Sequence, residues 1–160
     1  MRNIRLLIEY EGTSYHGWQI QPGMVTVQGV IQEKIAQITQ QRCKLIGASR
    51  TDSGVHAWGQ VANFLTSSPI DLTSLQRGLN SLLPPDIVIK DAGEVPLEFH
   101  ARFSAKGKLY EYRILHRSYP SALWRNFCWH IPWRLDIEPM RECAKMLLGC
   151  LLYTSPSPRD

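Results

Sequence analysis

Gly47-Ala48-Ser49-Arg50-Thr51-Asp52-Ser53-Gly54-Val55-His56 is a loop of small and polar residues between two strand-like runs, Lys44-Leu45-Ile46 and Gln60-Val61-Ala62-Asn63-Phe64. A loop in that setting lies at a sheet end, where a rigid support lets the chain face a ligand. On its N-terminal side, residues 4–10 read as a strand, and residues 27–40 carry Val27, Val30, Ile31, Ile35 and Ile38 on one helical stripe. On its C-terminal side, residues 72–83 read as a helix with Asp71 as N-cap and Pro84-Pro85 as its stop, and residues 87–91 resume a strand. The β-α-β-β-α-β order predicts a ferredoxin-like α+β domain, an antiparallel sheet with helices on one face and the other face open. Residues 109–115 are expected to add a further strand.

The loop also carries chemistry. Arg50 is a permanent cation two positions from Asp52, and a carboxylate beside such a cation is a candidate nucleophile or base. Attack on a sugar carbon suits it, because positive charge gathers there in the transition state and an anion stabilises it. Gly47 and Gly54 allow tight turning and close approach to a substrate. Spacing alone fits the ordinary alternative better, a hairpin-capping aspartate with a surface arginine partner.

Three further segments change that balance. They are Tyr10-Glu11-Gly12-Thr13-Ser14-Tyr15-His16-Gly17-Trp18-Gln19, Leu79-Asn80-Ser81-Leu82-Leu83-Pro84-Pro85-Asp86-Ile87, and Phe99-His100-Ala101-Arg102-Phe103-Ser104-Ala105 followed by Tyr110-Glu111-Tyr112. With the Asp52 loop, and in this order, the chain over residues 1–149 resembles the tRNA pseudouridine synthase A family. The resemblance implies a pseudouridine synthase fold and isomerisation of uridine to pseudouridine in the anticodon stem-loop of tRNA. It assigns catalysis to Asp52, with Arg50 beside it and Tyr110 packing on the target uracil. It implies no cofactor and no metal, since nothing is oxidised, reduced or added. Asp52 would assist glycosidic cleavage either through a covalent ribosyl ester or by abstracting a sugar proton to give a glycal. Tyr110 offers a ring for stacking and a hydroxyl for proton transfer; by alternation alone it would be a strand residue. His56 and Arg50 are candidates to hold RNA distorted by extraction of the uridine. The resemblance also implies a homodimer at full length.

Composition agrees with an RNA partner. There are 18 Lys plus Arg against 14 Asp plus Glu, a net +4. Arg102, Lys106, Lys108, Arg113 and Arg117 are opposed only by Glu111 and interleaved with Phe103, Tyr110 and Tyr112, a pattern that suits phosphates and stacked bases and equally describes a solvated strand face. Arg102, Lys106 and Lys108 are therefore candidate RNA contacts. Cys43, Cys128, Cys143 and Cys150 have no metal-ligand spacing, so reduced thiols are expected. The N-terminus runs directly into a strand pattern and no apolar run has membrane-spanning length, which leads to an expected cytoplasmic location without membrane contact.

The expected organisation is a catalytic domain over residues 1–115, a crossing over 116–128, the start of a second domain over 129–149 containing a helix at about 137–148, and a disordered, foreign-looking tail over 150–160 with two Ser-Pro pairs. The family's second domain supplies the far wall of its cleft, so the full-length protein is expected to be a synthase and this 160-residue chain to be inactive. A non-catalytic RNA-binding module on the same fold is the alternative. A glycoside hydrolase is weaker, because it needs a second carboxylate facing Asp52, and Glu9, Glu11 and Asp86 have no readable pairing with it.

Overall fold

The computed structural model describes residues 1–149; the expectation for 150–160 falls outside them. The described residues divide into two compact units, 1–109 and 110–149.

In the first unit the elements are β1 (Arg2–Tyr10), α1 (Val27–Thr39), β2 (Ile46–Gly47), β3 (Ala57–Thr66), α2 (Leu72–Leu82) and β4 (Ile87–Val95). The sheet order is β2-β3-β1-β4, with every pairing antiparallel. This is the ferredoxin-like arrangement that the order of elements predicted.

Period-two alternation on β1 sends Ile4, Leu6 and Ile8 into the core, where they meet Ala62 and Phe64 of β3 and Ile87 and Ile89 of β4. Val27, Ile31 and Ile35 of α1, spaced by four, and Leu75 and Leu79 of α2 cover that face. Each fully buried aliphatic contributes about 1.5–3 kcal/mol. Thr26 caps α1 by accepting from Gly29 N at 3.3 Å, and Gln40 ends it in the left-handed region at φ 55°. Asp71 caps α2 by accepting from Ser74 N at 2.9 Å. Leu83 is extended because Pro84 follows it, so the helix stops there.

Three expectations change in detail. The strand expected at Lys44-Leu45-Ile46 shrinks to Ile46–Gly47, because α1 takes the backbone of Leu45: its N–H goes to Gln32 Oε1 at 2.9 Å and its carbonyl accepts from Gln28 Nε2 at 2.7 Å. The open face is partly covered. Asn3 and Asn63, buried on the side away from the helices, hold residues 96–101 against the sheet. Asn3 Nδ2 donates to the carbonyls of Pro96 at 3.0 Å and Phe99 at 2.8 Å, Asn63 Nδ2 donates to Asn3 Oδ1 at 2.9 Å, and Ala101 N donates to Asn63 Oδ1 at 2.8 Å. Finally, residues 109–115 do not form one added strand. Only β5 (Ile114–His116) is regular, and it pairs in parallel with β6 (Trp129–Ile131) in a separate two-stranded sheet. Residues 109–112 lie in no ladder, and Leu109 is 93% exposed, while Arg113 O accepts from Trp129 N at 2.7 Å at the edge of the small sheet.

The second unit also holds α3 (Ile137–Lys145), capped by Asp136 and shorter than expected, with Met146 to Leu148 in a turn. None of the residues of α3 is buried, and Ile131 is the buried hydrophobic of this unit among the described residues.

Candidate active site

Where β2 leaves the sheet, the chain from Ala48 to His56 is held from beneath by the segment that follows β1. Ala48 N still donates to Val61 O at 2.8 Å, after which the loop departs from the ladder. Gln60 Nε2 then donates to Ser49 O at 2.7 Å, Trp18 N donates to Thr51 O at 3.0 Å, and the Tyr10 and Thr51 hydroxyls bond at 2.8 Å. Gly54 N at 3.3 Å and Ser53 Oγ at 3.2 Å both donate to Tyr15 O, while Val55 N closes a turn onto Asp52 O at 3.2 Å.

Close packing explains two glycines. A Cβ on Gly17, whose φ is +79°, would lie 2.5 Å from Thr51 O, and a Cβ on Gly47 would lie 2.5 Å from Nε1 of buried Trp18. The contact between the two segments therefore has no room for a side chain at either position.

Asp52 and Arg50 are both exposed, whereas Ser49 and Thr51 are partly buried between the groups that hold them. His56, at the loop's end, accepts from Gly12 N through Nδ1 at 3.0 Å, so the hydrogen of the neutral ring sits on Nε2. Tyr10 is buried, and desolvation holds its phenol above the usual tyrosine range against the opposing bonds to Thr51 and Gln60. Burial likewise raises the Tyr15 phenol, reinforced by its hydrogen bond to Asp86 and by that carboxylate's charge.

Arg50, Asp52 and His56 thus share one braced loop. Arg102 lies on the segment that Asn3 and Asn63 anchor near the start of β1; Lys106 and Lys108 follow, exposed and outside any regular element. Tyr110 opens the second unit and is 65% exposed. Of the other carboxylates, Glu9 pairs with Lys90 at 3.0 Å, Glu11 accepts from Thr13 Oγ1 at 2.9 Å, and Asp86 accepts from Tyr15. Among the described residues no three His, Cys, Asp or Glu side chains converge as a metal site.

Sequence reading passed over the supports: Tyr10, Tyr15, Gln60, Asn3 and Asn63. A signal was present in Gln60 and Asn63, polar side chains within an otherwise apolar strand run, and in the small-charged-polar-charged run from Ser49 to Asp52. Which groups bond to them depends on contacts distant in sequence.

The chain's similarities accord with the resemblance of its motifs. Residues 6–104 match the family model described as tRNA pseudouridine synthase. Over 149 residues, 93% of this chain, it is 52% identical to a protein from Thermoanaerobacter sp. (strain X514) and also 52% identical to one from Acetivibrio thermocellus, each named tRNA pseudouridine synthase A. A protein of that name from Citrifermentans bemidjiense is 48% identical over the same length. The match covers 61% of the first two relatives and 60% of the third, so the chain spans about three fifths of the length of the curated relatives it matches.

Proposed function

We propose, for a chain that belongs to the tRNA pseudouridine synthase family, that the protein at its relatives' length isomerises uridine to pseudouridine in the anticodon stem-loop of tRNA with Asp52 as the reacting carboxylate. The observation that carries this reading is the loop itself. An exposed aspartate and arginine are presented from a backbone that β3 and residues 10–18 brace at Ala48, Ser49, Thr51, Ser53 and Gly54. That is how a nucleophile is kept in one orientation, and orientation is a large share of such catalysis.

In the reaction the bond from uracil N1 to C1′ breaks while Asp52 either takes C1′ as an ester or removes a sugar proton to leave a glycal. The uracil turns and C5 bonds to C1′ as the ester bond to Asp52 breaks or, on the other route, as Asp52 returns its proton to the glycal; the proton on C5 is lost as N1 gains one, so Asp52 is regenerated and atoms and electrons balance without an added reactant. Arg50 and His56 hold the extracted nucleotide and its backbone, Tyr110 stacks on the uracil, and Arg102, Lys106 and Lys108 meet phosphates. The expectation of a cytoplasmic homodimer belongs to this reading, supported by the family resemblance. No helix among the described residues is long and apolar enough to cross a membrane.

The test is tritium release from C5-tritiated uridine in tRNA, using residues 1–149 joined to the remaining part of an active relative. Release that disappears with Asp52→Asn, while tRNA binding persists, supports the assignment. A folded fusion that binds tRNA and releases nothing with Asp52 intact would reduce the chain to an RNA-binding module.

A further inference from the structure

We infer that Tyr10 and Thr51 are positioning residues, a buried hydroxyl latch that turns Arg50 and Asp52 outward together. The inference rests on the reading of Asp52 as the reacting group. Its physical basis is the tie at Thr51. The odd members of residues 49–52 are held to the body of the unit: Ser49 by its carbonyl, which accepts from Gln60, and Thr51 by its carbonyl, which accepts from Trp18, and by its hydroxyl, whose bond to Tyr10 is the side-chain tie among them. The even members, Arg50 and Asp52, are the exposed ones.

The latch is built from the core side. Tyr10 is 2% and Gln60 6% exposed, on adjacent antiparallel strands whose register is irregular at this point: Ile8 faces Gln60, but Tyr10 faces Ala57. The irregularity places Tyr10 opposite the residue that follows the loop, and its hydroxyl reaches back to Thr51. Among the loop's anchors, the backbone bonds of Ala48, Thr51, Gly54 and Val55 fix where the chain runs. The Tyr10–Thr51 bond joins two side chains, and it alone among the bonds described at Thr51 holds the side chain inward. A phenol rather than an apolar ring at the sheet end follows from that task, since an apolar residue would fill the space and leave Thr51 Oγ1 without its buried partner.

The experiment is native-state amide exchange on the 160-residue chain with Tyr10→Phe, Thr51→Val, the double substitution, and Thr51→Ser. The latch predicts about tenfold faster exchange at Trp18 and Val55 in each of the first two variants, the scale of one net hydrogen bond. The double variant exchanges like Tyr10→Phe, because Thr51→Val ends only the bond that Tyr10→Phe already ends along with the contact to Gln60, and Thr51→Ser restores the parent rate. Amides of α1 and of the β1 ladder stay within about twofold. Unchanged exchange at Trp18 and Val55, additive effects, or acceleration spread through the core would overturn the latch. In the tritium-release assay Tyr10→Phe lowers kcat and leaves KM for tRNA in place; a rise in KM alone would show that the hydroxyl does not position the reacting group. If the unsubstituted fusion releases no tritium, the functional reading fails and the exchange result still decides the latch.

Discussion

Tyr15 donates its phenolic hydrogen to Asp86 Oδ1 at 2.6 Å while its own carbonyl accepts from Ser53 Oγ and Gly54 N. One residue therefore ties the Asp52 loop to the turn before β4, reinforced by the bond from Glu11 N to Asp86 O at 2.9 Å. The phenol's pKa is raised by burial first, then by the hydrogen bond to Asp86 and its charge. A folded value above the unfolded one, which is about 10, means that the linked stability is complete below that pH and is lost as pH rises through the folded value. The urea midpoint should fall above pH ~10, and Tyr15→Phe should lower it at neutral pH but flatten the alkaline slope. An alkaline slope identical in parent and variant would contradict this account.

Gly17 and Gly54 separate two costs. Both have positive φ, +79° and +78°, but a Cβ at Gly54 meets open space whereas one at Gly17 meets Thr51 O at 2.5 Å. Gly54→Ala should cost about 1–2 kcal/mol, from the left-handed backbone alone. Gly17→Ala adds the displacement of the loop and should cost about 2–4 kcal/mol. Equilibrium urea unfolding of the two variants checks the ordering, and equal losses would show that the clash is relieved without consequence.

Removing Asn63 leaves the buried Ala101 N–H and Asn3 Oδ1 without their partner. Asn63→Ala should destabilise the first unit by about 1–3 kcal/mol for each group left unsatisfied. The same loss frees the following segment, so trypsin should cut after Arg102 several times faster than in the parent. Proteolysis at an unchanged rate would place the anchor elsewhere.

Asp71 has a lowered pKa, caused first by the hydrogen bonds from Ser74 and opposed by desolvation. A depressed folded value contributes stability above the unfolded pKa of about 3.9 and loses it as pH falls through the folded value. Asp71→Ala should therefore lower the urea midpoint at pH 6, with the gap narrowing in acid below pH ~4. A gap that persists unchanged at the lowest pH would assign the effect to the helix cap's geometry and not to its charge.

Local chemistry alone determined the order of elements. Aliphatics at every second position of β1 and every fourth of α1, Asp71 before α2 and Pro84 after it are short-range constraints, and they survive whatever the chain packs against. The motif residues of the candidate site were legible through the family resemblance, since their spacing alone fits a hairpin-capping aspartate better. What only the tertiary structure decided is how those motifs are held. Leu45 is withdrawn from its strand by glutamines of α1, Asn3 and Asn63 close part of the helix-free face, and Tyr10 and Tyr15 brace the Asp52 loop from positions distant in the chain. A hydrogen bond between distant residues has no periodicity, and its partner is chosen by register and bulge. Sequence could therefore propose Asp52, but the fold determines which way its loop faces.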